Sequence, residues 1–327
     1  YWILNDLKSL KNFLVTLLFV CLFLIFDTWY QYFLGVDIFG IEPLFYSPEK
    51  TGLARLTGPF SGPHVGMWLT KLIILLIFLF IIIKKYKNFL KNKFSPLTFF
   101  IFFGIFFLTI FITGERMALL MSILSILTIL FGLILSKNIS ALNTLFFLLS
   151  IFIIIYFFSI TDPAQTSRAI NSTIQLIINW RDSSYGIVWK SAFDVWMESP
   201  WFGVGLHKYR EACGLLGIYG TFDNAIRPGV CFHPHNISMQ LLSETGIVGF
   251  ILFFTMVISL SFRLLKDSFI KKDWLLYFSI LNVLVACFLP IQSNTDFFSN
   301  KYSSLVWLLV GVMLGLCRYI ESTKNSS

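Results

Sequence analysis

Residues 231–249, CFHPHNISMQLLSETGIVG, place His233, His235, Asn236 and Gln240 where a polar stretch runs into an apolar helix. An imidazole accepts a proton near neutral pH, so His235 at the mouth of such a helix can activate a hydroxyl as general base. Pro234 sets the direction in which the chain enters, and His233 or Asn236 can orient the ring. Zinc needs more than two histidines two residues apart, and no third ligand follows at a suitable spacing. The plain structural alternative has both histidines satisfying local hydrogen bonds. Glu244 reads as a polar partner at the membrane edge rather than as the base.

Arginines offer the complementary chemistry. Arg116 sits in TGERMALL between two apolar runs, where the chain barely leaves hydrocarbon. A desolvated guanidinium is costly unless it meets an anion, and its fork matches phosphate oxygens. Pairing with Glu115 is the structural alternative. Arg55, in RLTGPFSGPH, precedes the apolar run beginning near His64, and its Gly and Pro neighbours predict a folded-back loop. Arg210 follows WFGVGL, an aromatic and glycine turn able to bring backbone and guanidinium against a ligand. Arg227 competes with it for an anion-binding role.

These side chains need a scaffold, and composition says which kind. The 327 residues are 57% hydrophobic and 18% aromatic but only 13% charged, which excludes both disorder and an ordinary soluble domain. Apolar runs at 12–27, 65–83, 97–113, 117–135, 141–160, 237–262, 273–290 and 303–320 predict transmembrane helices. With that set of spans, Lys84, Lys85, Lys87, Lys91 and Lys93 fall on the same face as Arg263, Lys266, Lys271 and Lys272. Lys8, Lys11, Lys137 and Arg318 join them, and the positive-inside rule makes that face cytoplasmic. The net charge of +8 therefore reports topology, not nucleic-acid binding.

The opposite face receives residues 28–64, the TGER turn, and stretches 161–236 and 291–302. At 76 residues, 161–236 is too long for a connector. It predicts one helix capped by Ser167 with Ile170, Ile174 and Ile177 on its apolar face. A second, over 185–198, carries Val188, Trp189, Ala192, Phe193 and Trp196 on one face. Cys213 and Cys231 lie where a disulfide is permitted, while Cys21, Cys287 and Cys317 read as apolar fillers. The chain starts at Tyr1 rather than Met, which reads as a piece lacking earlier spans. The expectation is an all-α polytopic transmembrane helical bundle with one large structured periplasmic loop.

RLTGPF (residues 55–60), TGERMALL (113–120), ESPWFGVGLHKYR (198–210) and HPHNISMQLLSETGIVG (233–249) together resemble the bacterial O-antigen ligase and O-antigen polymerase superfamily. The resemblance implies a metal- and cofactor-independent glycosyltransferase of the bacterial inner membrane, with its active site facing the periplasm. Its donor would be an undecaprenyl-diphosphate-linked glycan. Its acceptor would be a lipid-linked glycan for a polymerase, or lipid A core for a ligase. The resemblance implies catalytic roles for His235, Arg116 and Arg210, and the residue reading adds Arg55, His233, Asn236, Arg227 and Gln240 in substrate binding. The alternative of a polyprenyl-linked glycan transporter requires charge along a passage through the bundle, whereas the candidates cluster at one face.

Overall fold

Unbroken apolar runs leave the backbone one economical way to satisfy its N–H and C=O groups inside hydrocarbon, and the chain takes it by forming helices. The structure, a computed structural model, describes residues 7–45, 54–87, 96–216, 220–222, 225–227, 231, 233–290, 292 and 296–325. Lys91 and Lys93 of the basic stretch lie outside the described residues. Helix α1 (Leu7–Leu34) leads to a hairpin of β1 (Leu44–Phe45) and β2 (Ala54–Arg55). Four apolar helices follow: α2 (Val65–Lys87), α3 (Pro96–Ile112), α4 (Arg116–Leu135) and α5 (Ala141–Thr161). Short helices α6 (Pro163–Ala169), α7 (Asn171–Ile178), α8 (Ser184–Glu198) and α9 (Tyr209–Leu215) occupy the long loop with a second hairpin, β3 (Gly220–Phe222) and β4 (Ala225–Arg227). The chain ends with α10 (Ile237–Ile270), α11 (Trp274–Phe288) and α12 (Asn300–Asn325). Helices α1, α2, α4, α5, α10 and α12 are long and apolar enough to cross a membrane, and α3 and α11 are shorter apolar helices. The protein is an all-α, multi-pass membrane protein.

Two compact units divide the chain. The first holds Tyr1–Thr173, Leu264–Ala286 and Leu309–Ser327. Its centre is α2, whose Leu69, Ile73, Leu75 and Leu79 are fully buried, with α1, α3 and α4 packed around it. Asn282 of α11 donates to Ser125 Oγ of α4 over 2.8 Å, a polar clamp between apolar helices. Helix α5 keeps Phe152, Ile153 and Phe157 exposed, a surface that only lipid can solvate.

The second unit holds Ile174–Arg263 and Cys287–Leu308. Its small core joins Ala192 and Val195 of α8, Tyr209 and Cys213 of α9, and Cys231. Cys213 and Cys231 form a disulfide with Cα atoms 5.8 Å apart. Helix α8 turns Val188, Ala192 and Val195 inward but leaves Phe193 exposed, so its buried stripe is narrower than the sequence face of 188, 189, 192, 193 and 196. The capping assignment upstream also changes. Ser167 lies inside α6, where Asp162 is the cap and accepts from Gln165 N–H, and Ile174 and Ile177 belong to the separate, fully unburied α7. Pro163 at the first helical position explains the start better than a serine four residues later.

Helix α10 is interrupted. Its 34 residues would extend about 51 Å as one rod, well past the ~30 Å of hydrocarbon. At Gly246 the backbone leaves helical geometry (φ 67°, ψ −172°). Before the break, Gln240, Ser243 and Glu244 are buried; after it, Ile251, Leu252, Ile258 and Phe262 are exposed apolar surface. The interruption releases backbone groups, and residues 200–205 take them up. Val204 and Gly205 N–H donate to Ser243 O (2.9 Å) and Glu244 O (3.0 Å), while Ile247 and Val248 N–H donate to Pro200 O (2.9 Å) and Trp201 O (3.3 Å). Such contact requires bare backbone on both sides: a Cβ on Gly203 would strike the Glu244 backbone, and one on Gly246 the Trp201 backbone. Gly246→Ala should therefore lower stability by about 2 kcal/mol or more, through both its left-handed φ and the collision. Gly104→Ala, with nothing within 4 Å of its Cβ, should leave the melting temperature of the purified protein unchanged or raised. Equal melting curves for the two variants would refute this account of the crossing.

Candidate functional site

In the first unit the polar side chains gather on the TGER turn between α3 and α4. A helix C-terminus leaves carbonyls without intrahelical partners, and here α6 and the loop after β2 supply three donors. Gln165 Nε2 donates to Ile112 O (2.8 Å), Leu56 N–H to Thr113 O (3.2 Å), and Arg168 Nε to Gly114 O (3.0 Å). The RLTG loop is in turn held to α1 by Gln31, whose Oε1 accepts from Thr57 and Gly58 N–H and whose Nε2 donates to Thr57 Oγ1.

Glu115 faces the start of α2. Its carboxylate accepts from Gly66 N–H (2.7 Å) and Met67 N–H (3.2 Å), two N–H groups at that helix end. The approach is close enough that a Cβ on Gly66 would lie 3.1 Å from Glu115 Cδ and 2.8 Å from Thr113 Oγ1. Burial pushes the Glu115 carboxyl up to about 7, against the opposing pull of Arg55, those two N–H bonds and Lys71. Arg116, half-buried, donates from Nη1 to Ser172 O (3.3 Å). The glutamate is thus committed to α2, which answers the question of whether it serves as a partner for the arginine next to it. Arg55 stands at the end of β2 with its Nε buried and without an acceptor among the described residues. Arg55 and Lys71 both act on the Glu115 carboxyl, while Arg116 and Arg168 donate to the backbone carbonyls of Ser172 and Gly114.

In the second unit His235 introduces α10. It is half-buried and held at φ 50°, in the left-handed region that a non-glycine residue adopts at a cost. Its ring lies 3.9 Å from that of His233 and meets Tyr185 edge-on at 6.1 Å between centroids. Asn236 braces the backbone: its Oδ1 accepts from Met239 N–H (3.0 Å), capping α10, and its Nδ2 donates to Pro290 O (2.7 Å). Gln240 is a second brace, donating to Asp296 Oδ1 and Glu244 Oε1 and accepting from Phe297 N–H (2.8 Å). Glu244 also accepts from His207 N–H (3.1 Å) at the end of the glycine turn. Asn236 and Gln240 were expected to bind substrate; their hydrogen bonds here run to the protein itself.

Arg210 is exposed in the first turn of α9, two residues before the core residue Ala212 and three before the disulfide. Arg227 lies in β4, its backbone opposite Gly220. Beside them Tyr209 is buried, and its phenol is pushed well up by desolvation and by the carboxylates of Asp194 and Glu244, so it stays a neutral hydroxyl. Among the described residues no group of three His, Cys, Asp or Glu is placed to hold a metal ion.

Residues 99–254 match a family model described as O-antigen ligase. That segment is similar to O-antigen ligases. The match supports the O-antigen ligase and polymerase superfamily, and a membrane glycosyltransferase at the coarse level. No curated protein and no solved structure matches the chain. The matched segment takes in the TGER turn, the WFGVG crossing and the His235 segment, and leaves Arg55 outside it.

Three residues escaped sequence reasoning. Lys71 is 2% exposed inside α2, and the signal was present as a single charge within MWLTKLIILL. Arg168 had no local signal, because its role comes from α6 folding back on Gly114. Tyr185 was read only as the start of a helix, and its ring contact with His235 spans fifty residues.

The Glu115 carboxyl gives a pH dependence. Its folded value lies above the ordinary 4.5, so its contribution to stability is complete below about 4.5 and is lost as pH rises through about 7. The melting temperature of the purified protein should fall between pH 5 and 8, by roughly 3 kcal/mol of stability in all. Glu115→Gln should flatten that slope, and an unchanged slope in the variant would assign the titration elsewhere.

Proposed function

We propose that the protein polymerises undecaprenyl-diphosphate-linked glycan at the periplasmic face of the bacterial inner membrane. The coarse activity, membrane glycosyl transfer, comes with the family; donor, acceptor and mechanism are the reading added here. His235 takes the proton of an acceptor sugar hydroxyl onto a ring nitrogen. The hydroxyl oxygen forms a bond to the anomeric carbon of the donor as the bond from that carbon to the phosphate oxygen breaks. The electron pair leaves with the undecaprenyl diphosphate, whose charge Arg116 and Arg210 offset. Arg55 and Arg227 add to diphosphate binding, and His233 supports the base. Neutral sugar and anionic carrier make different demands, and the chain supplies ring nitrogens for one and guanidinium groups for the other.

The single observation that carries the reading is His235 itself. An imidazole sits in strained left-handed backbone two residues before α10, next to the Asn236 cap and half-buried. Strain of that kind persists where the surroundings over-determine it, and it clusters at functional positions.

His235→Ala should reduce transfer by about 10²–10⁴-fold in membranes lacking the native enzyme, with expression and insertion retained. Gel analysis of the product glycans reads this, and activity within a fewfold of the parent would remove His235 from the chemistry. The same gel separates the two acceptors. A ladder on the carrier lipid identifies polymerisation, and preformed chains appearing on lipid A core identify ligation. Arg116→Lys should lose a large part of the activity, because an ammonium cannot replace a two-pronged guanidinium on a diphosphate.

A further inference from the structure

The second unit contains an arrangement of rings that neither the His235 chemistry nor the fold accounts for. Trp180 and Tyr185 lie parallel, 3° between planes and 6.2 Å between centroids. Trp189 stands edge-on to Trp180 at 4.7 Å, with planes 75° apart. Tyr185 in turn contacts His235, and His235 contacts His233. All five rings are half-buried, so the row begins at the proposed base and remains reachable from outside.

Local structure has been arranged to hold it. Trp180 opens a 3₁₀ turn (Trp180–Asp182), and Ser183 then caps α8, accepting from Gly186 N–H (3.1 Å) while donating to Trp180 O (2.6 Å). Gly186 has the reason for being glycine written in its surroundings: a Cβ there would collide with Trp180 O. The carbonyl presses onto the bare first turn of α8, and this seats the Trp180 ring over Tyr185.

The row also carries an unmet hydrogen-bond donor. Trp189 Nε1 is buried without an acceptor among the described residues. A buried indole N–H ordinarily finds a partner, and each exception asks for an explanation. A bound hydroxyl would supply one.

From these observations we infer that Trp180, Tyr185 and Trp189 form a subsite for an uncharged pyranose, the acceptor sugar. A pyranose has an apolar C–H face that packs on the electron-rich face of an aromatic ring, and a rim of hydroxyls that seeks donors and acceptors at the edge. The parallel pair provides the face, and Trp189 Nε1 provides the edge donor. None of the three carries charge, so the platform suits the neutral sugar and not the diphosphate. The assignment to acceptor rests on the proposed role of His235, because the sugar seated on Tyr185 is the one whose hydroxyl that imidazole can reach.

The test is saturation-transfer NMR on the whole protein in nanodiscs, with methyl pyranosides of glucose, galactose, rhamnose and N-acetylglucosamine as probes. At least one should give saturable transfer to its ring C–H protons. Trp180→Ala should weaken that binding by about tenfold or more, and Trp180→Phe, which keeps a flat ring, should restore most of it. Trp189→Phe removes only the N–H and should weaken binding severalfold, which separates loss of a hydrogen bond from loss of folding. In the transfer assay Trp180→Ala should raise KM for acceptor and leave KM for donor unchanged. No probe binding up to ~100 mM, or binding indifferent to Trp180→Ala, overturns the subsite. His235→Ala separates the two proposals: full transfer by that variant would end the catalytic reading, while its sugar binding would leave the platform standing.

Discussion

Everything in the second unit depends on a crossing of two bare backbones, Gly203 of the WFGVG turn against Gly246 of α10. A helix that breaks near a membrane exposes N–H and C=O groups that hydrocarbon cannot satisfy, each at a cost of several kcal/mol. Here four of those groups are paired with residues 200–205 in a short ladder on either side of the break. The ladder forms only because neither glycine has a side chain to hold the strands apart. With the break stabilised, residues 237–245 can pack inside protein while the rest of α10 turns its apolar surface outward. The His235 segment is then anchored to a short, fixed helix instead of to the end of a long rod.

The first unit answers a similar demand by a different route. The tight turn between α3 and α4 strands the carbonyls of residues 112–114, and no neighbouring strand is at hand. Side chains and one loop amide do the work: Gln165, Leu56 N–H and Arg168. Glu115 repeats the logic in reverse by accepting from the N–H groups that open α2. The consequence is electrostatic. Glu115 accepts from those backbone donors while Arg55 and Lys71 pull its titration down against the effect of burial.

The parts of this design written in local pattern were legible in the sequence. Long apolar runs, the proline-led mouth of α10, the glycine turn and the lone arginine of TGER all announce themselves over a few residues. The parts that depend on distant approach were not. Nothing near Gln31 says that it will hold Thr57, and nothing near Arg168 points to Gly114. The break in α10 was half legible: SETGIVG has a glycine, but a single glycine within an apolar run is tolerated in many membrane helices. Its meaning appears only with Trp201 lying against it. Asn236 and Gln240 show how one residue type serves two uses: amides at a helix start suit ligand contact and also capping and bracing, and local spacing does not separate the two.

That division of labour narrows where chemistry can reside. Polar groups near the membrane are costly, so those engaged in holding backbone have their cost repaid inside the fold, as Asn236, Gln240, Gln31 and Glu115 do. Two of the buried groups left unmatched among the described residues are donors of different kinds. In the first unit one is cationic, Arg55 Nε. In the second one is aromatic and neutral, the indole N–H of Trp189, at the far end of the ring row that starts at His235. The first is suited to an anion and the second to a neutral hydroxyl, so in each unit the groups that hold backbone are set apart from the group that can meet a ligand.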